Sequence, residues 1–110
     1  TESAPVVKGN IASATAAFHF QVVYVDGRVS YYDIYTTQTT VGDALEELGM
    51  VAGERNEYGL YVKSVNGVEL DYDKDGYYWA LYIGDDYAMT SVDLTEIVND
   101  ATYKFVAEKA

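Results

Sequence analysis

An alternating acidic run followed by glycine is the pattern in this sequence that comes closest to a metal site. Asp71, Asp73 and Asp75 stand at the first, third and fifth positions of a calcium-loop pattern, and Gly76 stands at the sixth. The twelfth position of such a loop carries a bidentate Glu, whereas here it is Tyr82. We therefore exclude an EF-hand. Two interpretations remain, a looser calcium site that recruits a carboxylate from elsewhere, and a solvated acidic turn before a strand.

Residues that could support catalysis are few and scattered. His19 is the only histidine and has no partner in the local sequence. Asp85 and Asp86 are adjacent, whereas the two carboxylates of a glycosidase face each other across a cleft. The serines lie in no nucleophile-elbow motif. The sequence therefore predicts a protein that is not an enzyme.

Tyrosine is the residue type that most favours a binding surface, because it combines a large contact area with a polar tip. The chain has twelve tyrosines and one tryptophan, and an uncharged aromatic run extends from Tyr77 to Ile83. We expect several tyrosines to gather on one sheet face, beside a loop from Asp85 to Asp93. The candidate ligand-binding residues are Tyr31, Tyr35, Tyr61, Tyr78, Trp79, Tyr82, Asp85 and Asp86. The alternative is a solvated tyrosine ladder that reflects only the strand propensity of tyrosine.

Composition limits the classes of partner. Eighteen acidic and seven basic residues give a net charge of −11, which argues against nucleic acid because phosphate requires a basic patch. The absence of cysteine excludes disulfides and thiolate metal sites. The chain contains no apolar run of the length that spans a bilayer. We expect a small molecule or another protein domain as the partner, no required cofactor, and a monomer.

Periodicity predicts the elements that must position these side chains. Predicted strands cover residues 17–25, 29–37, 58–65, 77–83 and 101–108. A helix begins after the N-cap Thr40 and ends at Gly49, with its apolar residues on one stripe. The order predicts an α+β fold, a β-grasp-like mixed sheet of four or five strands with one helix packed on one face. We expect a flexible linker at residues 1–16 and one domain at residues 17–110.

Five segments resemble a known family, the domain of unknown function 4430, which is similar to the C-terminal domain of transcobalamin and intrinsic factor. They are Thr-Val-Gly-Asp-Ala-Leu at 40–45, Val-Asn-Gly at 65–67, Tyr-Trp-Ala-Leu-Tyr-Ile at 78–83, Val-Asp at 92–93 and Asn-Asp-Ala-Thr-Tyr-Lys-Phe at 99–105. The resemblance implies a β-grasp-like fold and a binding role. It also implies export or surface attachment in Gram-positive bacteria, after removal of a signal or lipid anchor, and raises corrinoid as a ligand.

These observations together predict a non-enzymatic extracellular binding module of a bacterial surface protein or lipoprotein, binding through its tyrosine-rich sheet face and the adjacent loop. Two alternatives stay open. One is a structural or adhesion domain that contacts other proteins. The other is a corrinoid-binding half-site that needs a second domain, as in transcobalamin.

Overall fold

Nine strands and two short helices make up the residues that the computed structural model describes, which are 6–57, 59–88 and 91–109. In chain order the elements are β1 (Val6–Lys8), β2 (Ala16–Val23), β3 (Val29–Thr36), α1 (Val41–Glu47), β4 (Val51–Asn56), β5 (Gly59–Val65), β6 (Val68–Glu69), α2 (Tyr72–Asp75), β7 (Tyr77–Ile83), β8 (Asp86–Tyr87), a 3₁₀ turn (Val92–Leu94) and β9 (Thr102–Lys109). None of the described helices is long and apolar enough to cross a membrane.

The larger sheet has six strands in the order β1-β3-β2-β9-β7-β8. It is mixed, because β1 runs parallel to β3 and β2 runs parallel to β9, while the other neighbours are antiparallel. The predicted β2–β3 hairpin turns at Gly27, whose φ of 88° suits a residue without a side chain. Asp26 closes the turn by accepting a hydrogen bond from the backbone N–H of Arg28 at 3.0 Å.

A second sheet, in the order β4-β5-β6, corrects the prediction of one sheet with four or five strands. The α+β class is confirmed, but the strand count was too low. Residues 51–56 lie outside the strands that periodicity predicts. They form β4, in which only Val51 is buried, and the pairing with β5 shifts register between Ala52 and Gly53. An exposed edge strand of this kind carries little periodic signal.

The N-terminal stretch contributes to the larger sheet. Residues 1–16 were expected to be a linker, yet Val6–Lys8 pair with β3 as an edge strand and Ala16 begins β2. Residues 1–5 lie outside the described residues. So do Tyr58, Met89, Thr90 and Ala110, which fall within the predicted domain.

The core lies on one face of the larger sheet. Alternate residues of β2, β3, β7 and β9 meet the apolar stripe of α1 and the inner face of the second sheet. Phe18 packs edge-on against Tyr103 with ring centroids 5.4 Å apart, and Phe20 packs against Phe105 at 6.1 Å. Such edge-to-face pairs are the favoured aromatic geometry. Helix α1 and the second sheet both pack on this face. The strand side chains that alternate with the core residues therefore lie on the opposite face of the larger sheet.

Helix α1 begins where the sequence predicts. The Thr40 hydroxyl accepts a hydrogen bond from the backbone N–H of Asp43 at 3.3 Å, which caps the first turn. Val41, Ala44 and Leu45 are buried, as their spacing on one stripe requires. With seven residues, α1 is too short to be stable alone and depends on this packing.

We predict that Tyr103→Phe lowers the free energy of unfolding by about 1–2 kcal/mol in urea titrations. The buried Tyr103 hydroxyl donates to the carbonyl of Glu96 at 3.1 Å and accepts from the N–H of Val98 at 3.0 Å, so both groups lose a partner. The matched control is Tyr31→Phe, on the solvent side of β3, which should change stability by less than about 0.5 kcal/mol. Equal effects of the two substitutions would contradict this role of Tyr103.

Candidate functional site

The face of the larger sheet opposite the core is the main candidate surface, and we call it the open face. Its side chains alternate with the core residues along each strand. The strand registers place five residues in one row across β3, β2, β9, β7 and β8. In that order they are Tyr31, Gln21, Lys104, Tyr82 and Tyr87. None of these side chains is fully buried, so the row is accessible to a partner.

Four tyrosines gather at the β7–β8 end of the open face, and we call them the tyrosine cluster: Tyr72, Tyr78, Tyr82 and Tyr87. The rings of Tyr82 and Tyr87 meet edge-on with centroids 5.5 Å apart, and those of Tyr72 and Tyr78 lie 6.1 Å apart. Burial raises the pKa of the Tyr78 phenol, and the Tyr87 side chain lies close enough to raise it further. The Tyr82 hydroxyl donates to the carboxylate of Glu108 on β9. The cluster therefore consists of two contacting pairs of rings and ends at one negative charge.

Hydrogen bonding and burial keep two of the phenols protonated. The hydrogen bond to Glu108, followed by burial, raises the pKa of Tyr82 to about 12. Burial, followed by the neighbouring Tyr87 side chain, also raises the pKa of Tyr78. At neutral pH Tyr78 and Tyr82 thus carry neutral hydroxyls.

The structure separates the predicted tyrosines into groups. Tyr78 and Tyr82 belong to the cluster, whereas Tyr31 and Tyr35 lie on β3, three strand spacings or about 14 Å away from β7. Tyr61 lies on β5 in the second sheet and is not on the open face.

Trp79 points to the opposite side of β7 from Tyr78. Its ring is buried in the core, and its indole N–H donates to the carbonyl of Val68 at 3.1 Å. This position follows from the alternation along β7, so Trp79 supports the sheet and does not reach the open face.

The two predicted acidic residues after β7, Asp85 and Asp86, lie in different surroundings. Asp85 is exposed and accepts a hydrogen bond from the ammonium group of Lys104 at 3.3 Å, beside the tyrosine row. Asp86 is in β8 opposite Ile83, on the other side of the sheet from Tyr82 and Tyr87.

Sequence reasoning missed three members of this region, Tyr72, Tyr87 and Glu108. Tyr72 belongs to a helical turn that was interpreted as part of an acidic loop, and Tyr87 to a two-residue strand in a segment expected to be irregular. Glu108 does carry a signal, because it lies on the polar face of the predicted last strand. Its pairing with β7, however, depends on the register.

The acidic run forms the short helix α2 and its N-cap. The Asp71 carboxylate caps α2 by accepting hydrogen bonds from the N–H groups of Asp73 at 2.9 Å and Lys74 at 3.1 Å. The hydrogen bonds from the N–H groups of Lys74 and Asp73 lower the pKa of Asp71. The Asp75 carboxylate turns back to accept from the N–H of Asp71 at 2.8 Å. Among the described residues, no three acidic or histidine side chains are grouped to hold a metal ion. The arrangement is that of a capped acidic turn.

His19 has a partner that the sequence did not reveal. Its Nδ1 lies 2.8 Å from a carboxylate oxygen of Asp33, across the β2–β3 pair on the open face. Both side chains are partly exposed to solvent. A solvated pair of this kind orients the imidazole ring and contributes little to stability.

Asp93 connects the elements that cover the core. Its carboxylate accepts hydrogen bonds from the N–H of Leu60 at 2.9 Å and the hydroxyl of Ser91 at 2.7 Å, and it pairs with Arg55 at 3.0 Å. Arg55 also pairs with Glu46 on α1. Burial alone would raise the pKa of Asp93, but these hydrogen bonds and Arg55 together lower it. The group is therefore structural and lies at the end of the predicted loop.

A cleft between β5 and β7 is the concave alternative to the open face. It has a volume of about 190 Å³. Its lining combines apolar side chains with tyrosines, among them Leu60, Val62, Leu81, Tyr61, Tyr78 and Tyr87. Three other concavities of the described residues measure about 330–370 Å³, within the usual range for drug-sized ligands of roughly 300–1,000 Å³. One of them lies beside Tyr72.

We predict that Asp93→Asn destabilises the fold by about 1–3 kcal/mol near pH 7, measured by urea unfolding. A carboxyl group whose folded pKa lies below its ordinary value of 3.8 stabilises the protein above that value, and this contribution is lost as pH falls. The difference between parent and variant should therefore shrink below about pH 4.

The control for this pH dependence is Asp86→Asn, an exposed carboxylate in β8. Its difference from the parent protein should be small, and it should not fall in the same way with pH. A pH-independent effect of Asp93→Asn would show that shape, and not charge, makes Asp93 important.

Comparison with known proteins identifies structures of similar fold and a family for this chain. No curated protein matches the sequence. The chain is similar to the crystal structure of a "putative metal binding protein" from Ruminococcus gnavus ATCC 29149, with a TM-score of 0.81 and 23% identity over 86% of this chain and 98% of that one. It is also similar to haptocorrin in complex with Cbi, with a TM-score of 0.63 and 15% identity over 93% of this chain and 27% of that one. At these identities the likeness concerns the fold. The family model of Domain of unknown function (DUF4430) matches residues 38–105, more than half of the sequence, and the chain belongs to this family.

Proposed function

We propose that this chain is a non-catalytic binding module that takes its ligand or partner on the open face, at the tyrosine cluster and the adjacent loop. The observation that carries the proposal is the one-sided covering of the larger sheet. Helix α1 and the second sheet pack on the core face, while five of the tyrosines, Tyr31, Tyr35, Tyr78, Tyr82 and Tyr87, lie on the other. Tyr87 remains 52% exposed although it contacts Tyr82. Aromatic side chains held in place and open to solvent suit recognition.

The titratable groups of the open face support a binding role over catalysis. Among the described residues they are satisfied in separate pairs, His19 with Asp33, Lys104 with Asp85, and Tyr82 with Glu108. Catalysis requires such groups to converge on one reacting atom. The two similar structures are themselves described by what they bind.

We further propose an extracellular or surface-attached setting in a bacterium, as the family resemblance implies, and a β-grasp-like core. The hairpin β2–β3 precedes α1, and β9 lies parallel to β2 within the sheet, which supports the β-grasp interpretation. The net charge of −11 supports a neutral or cationic partner and argues against nucleic acid. We expect the module to be monomeric.

A corrinoid half-site is the second candidate, and the similarity to haptocorrin favours it. The haptocorrin match covers only 27% of that chain, so a corrinoid would require a second domain to complete its site. An adhesion domain that binds another protein would use the same open face. Calcium is not proposed, because the acidic turn uses its carboxylates to cap α2.

We predict that a thermal-shift screen with cobinamide, haem and soluble glycans identifies at least one stabilising compound. A ligand that binds only the folded state adds about 2.7 kcal/mol of stability at a hundredfold excess over its dissociation constant. Tyr82→Ala should reduce this shift strongly, whereas Tyr61→Ala, on the second sheet, should preserve it.

The reverse result, a shift lost in Tyr61→Ala and kept in Tyr82→Ala, would place the site outside the open face. If no compound shifts the melting temperature, a protein partner becomes the better interpretation. Cobinamide binding can be followed independently through its visible absorption.

A further inference from the structure

We propose that the tyrosine cluster, together with Glu108, is a site for a quaternary ammonium group. This inference rests on the proposed function of the open face and names the chemical class of its ligand. The ligand would carry a trimethylammonium group, as choline does. The site comprises the rings of Tyr72, Tyr78, Tyr82 and Tyr87 and the carboxylate of Glu108.

Ring geometry is the first step of the argument. The four rings come from α2, β7 and β8 and form two contacting pairs, Tyr72 with Tyr78 and Tyr82 with Tyr87, and Tyr78 and Tyr82 are on the same face of β7. The two outer rings are the most accessible, with Tyr72 55% and Tyr87 52% exposed. Aromatic rings attract a cation electrostatically within about 6 Å of the ring centre.

The hydrogen bond at the end of the cluster decides which cation fits. The Tyr82 hydroxyl is bonded to Glu108. A primary ammonium group would have to share the Glu108 carboxylate with the Tyr82 hydroxyl in order to satisfy its N–H groups. A quaternary ammonium group makes no such demand, because it carries its charge on methyl groups and has no N–H. The unused features of the cluster are its ring faces and one negative charge, which match that group.

Charge complementarity supports the same occupant. Glu108 is the charged group that contacts the cluster directly, and the nearby Lys104 ammonium is paired with Asp85. The whole chain carries a net charge of −11, so its field attracts a cation and repels an anion. Because the Tyr82 hydroxyl donates to Glu108, that carboxylate is held in a fixed orientation beside the cluster.

The floor of the site is Ala80, which lies between Tyr78 and Tyr82 on the open face and is 1% exposed. It is opposite Val106 in the strand register. Because Ala80 is covered by its neighbours, the methyl groups of the ligand would contact the flanking phenol rings and not Ala80 itself.

The experiment is an NMR titration of the labelled protein with choline chloride at constant ionic strength. The matched probe is the neutral carbon isostere of choline, in which a tert-butyl group replaces the trimethylammonium group. We expect choline to shift the amide signals around Tyr78, Tyr82 and Tyr87, and the isostere to bind at least about fivefold more weakly. Equal binding of both probes would overturn the role of charge, and no shift with choline would overturn the proposal.

Two variants and one control locate the site. Tyr87→Ala should weaken choline binding by about two- to fivefold, the range for one exposed cation–ring contact. Glu108→Gln keeps the shape, removes the charge, and should weaken binding by roughly three- to tenfold. Tyr35→Ala, on β3 about 14 Å from β7, should leave the affinity unchanged. Dispersed amide spectra of each variant verify that it is folded. Unchanged choline affinity in both Tyr87→Ala and Glu108→Gln would overturn the assignment.

The same titration separates this inference from the proposed function. If N-acetylglucosamine or cobinamide shifts the cluster signals and choline does not, the ammonium site is wrong while binding at the open face stands. If choline shifts only residues that line the β5–β7 cleft, such as Leu60 and Val62, both the ammonium site and the proposed location of binding are wrong.

Discussion

The structure depends on one packing constraint, which is that all apolar covering lies on a single face of the larger sheet. Phe20, Val22 and Phe105 are almost completely buried beneath α1 and the second sheet. Side chains on the other face must therefore be compatible with water while they still protect the backbone. Tyrosine meets both demands, because its ring covers the sheet and its hydroxyl can be solvated. The tyrosine-rich open face is thus a direct consequence of how the core is assembled.

Two polar connections keep the covering layer in position. Arg55 links Asp93 to Glu46, so that β4, α1 and the 3₁₀ turn are held together. At the other end, the Asn66 amide donates to the hydroxyls of Tyr24 at 3.0 Å and Tyr32 at 2.8 Å, which ties the β5–β6 turn to the β2–β3 hairpin. Each connection joins residues that are distant in sequence. They fix the second sheet against the core without using any side chain of the open face.

The sequence predicted the elements that local patterns determine, and it missed the features that depend on contacts between residues distant in sequence. Alternation is a local property, and it identified β2, β3, β7 and β9, while the spacing of Val41 and Leu45 identified α1. The edge strand β4 was not predicted, because its polar residues are stabilised by pairing with β5 and not by burial. Tyr61 was grouped with the wrong sheet for a related reason, since no local pattern tells which sheet a strand joins. The partner of His19 likewise depends on the strand register.

The candidate site and the core share one strand, and this coupling explains why the site is well defined. In β7, Trp79 and Leu81 are buried in the core, so Tyr78 and Tyr82 must point to the open face. A shift of one residue in the pairing with β9 would exchange the two sets and expose the tryptophan. The core therefore enforces the register, and the register brings Glu108 within reach of the Tyr82 hydroxyl. Precision at the tyrosine cluster comes from apolar packing on the other side of the same strand.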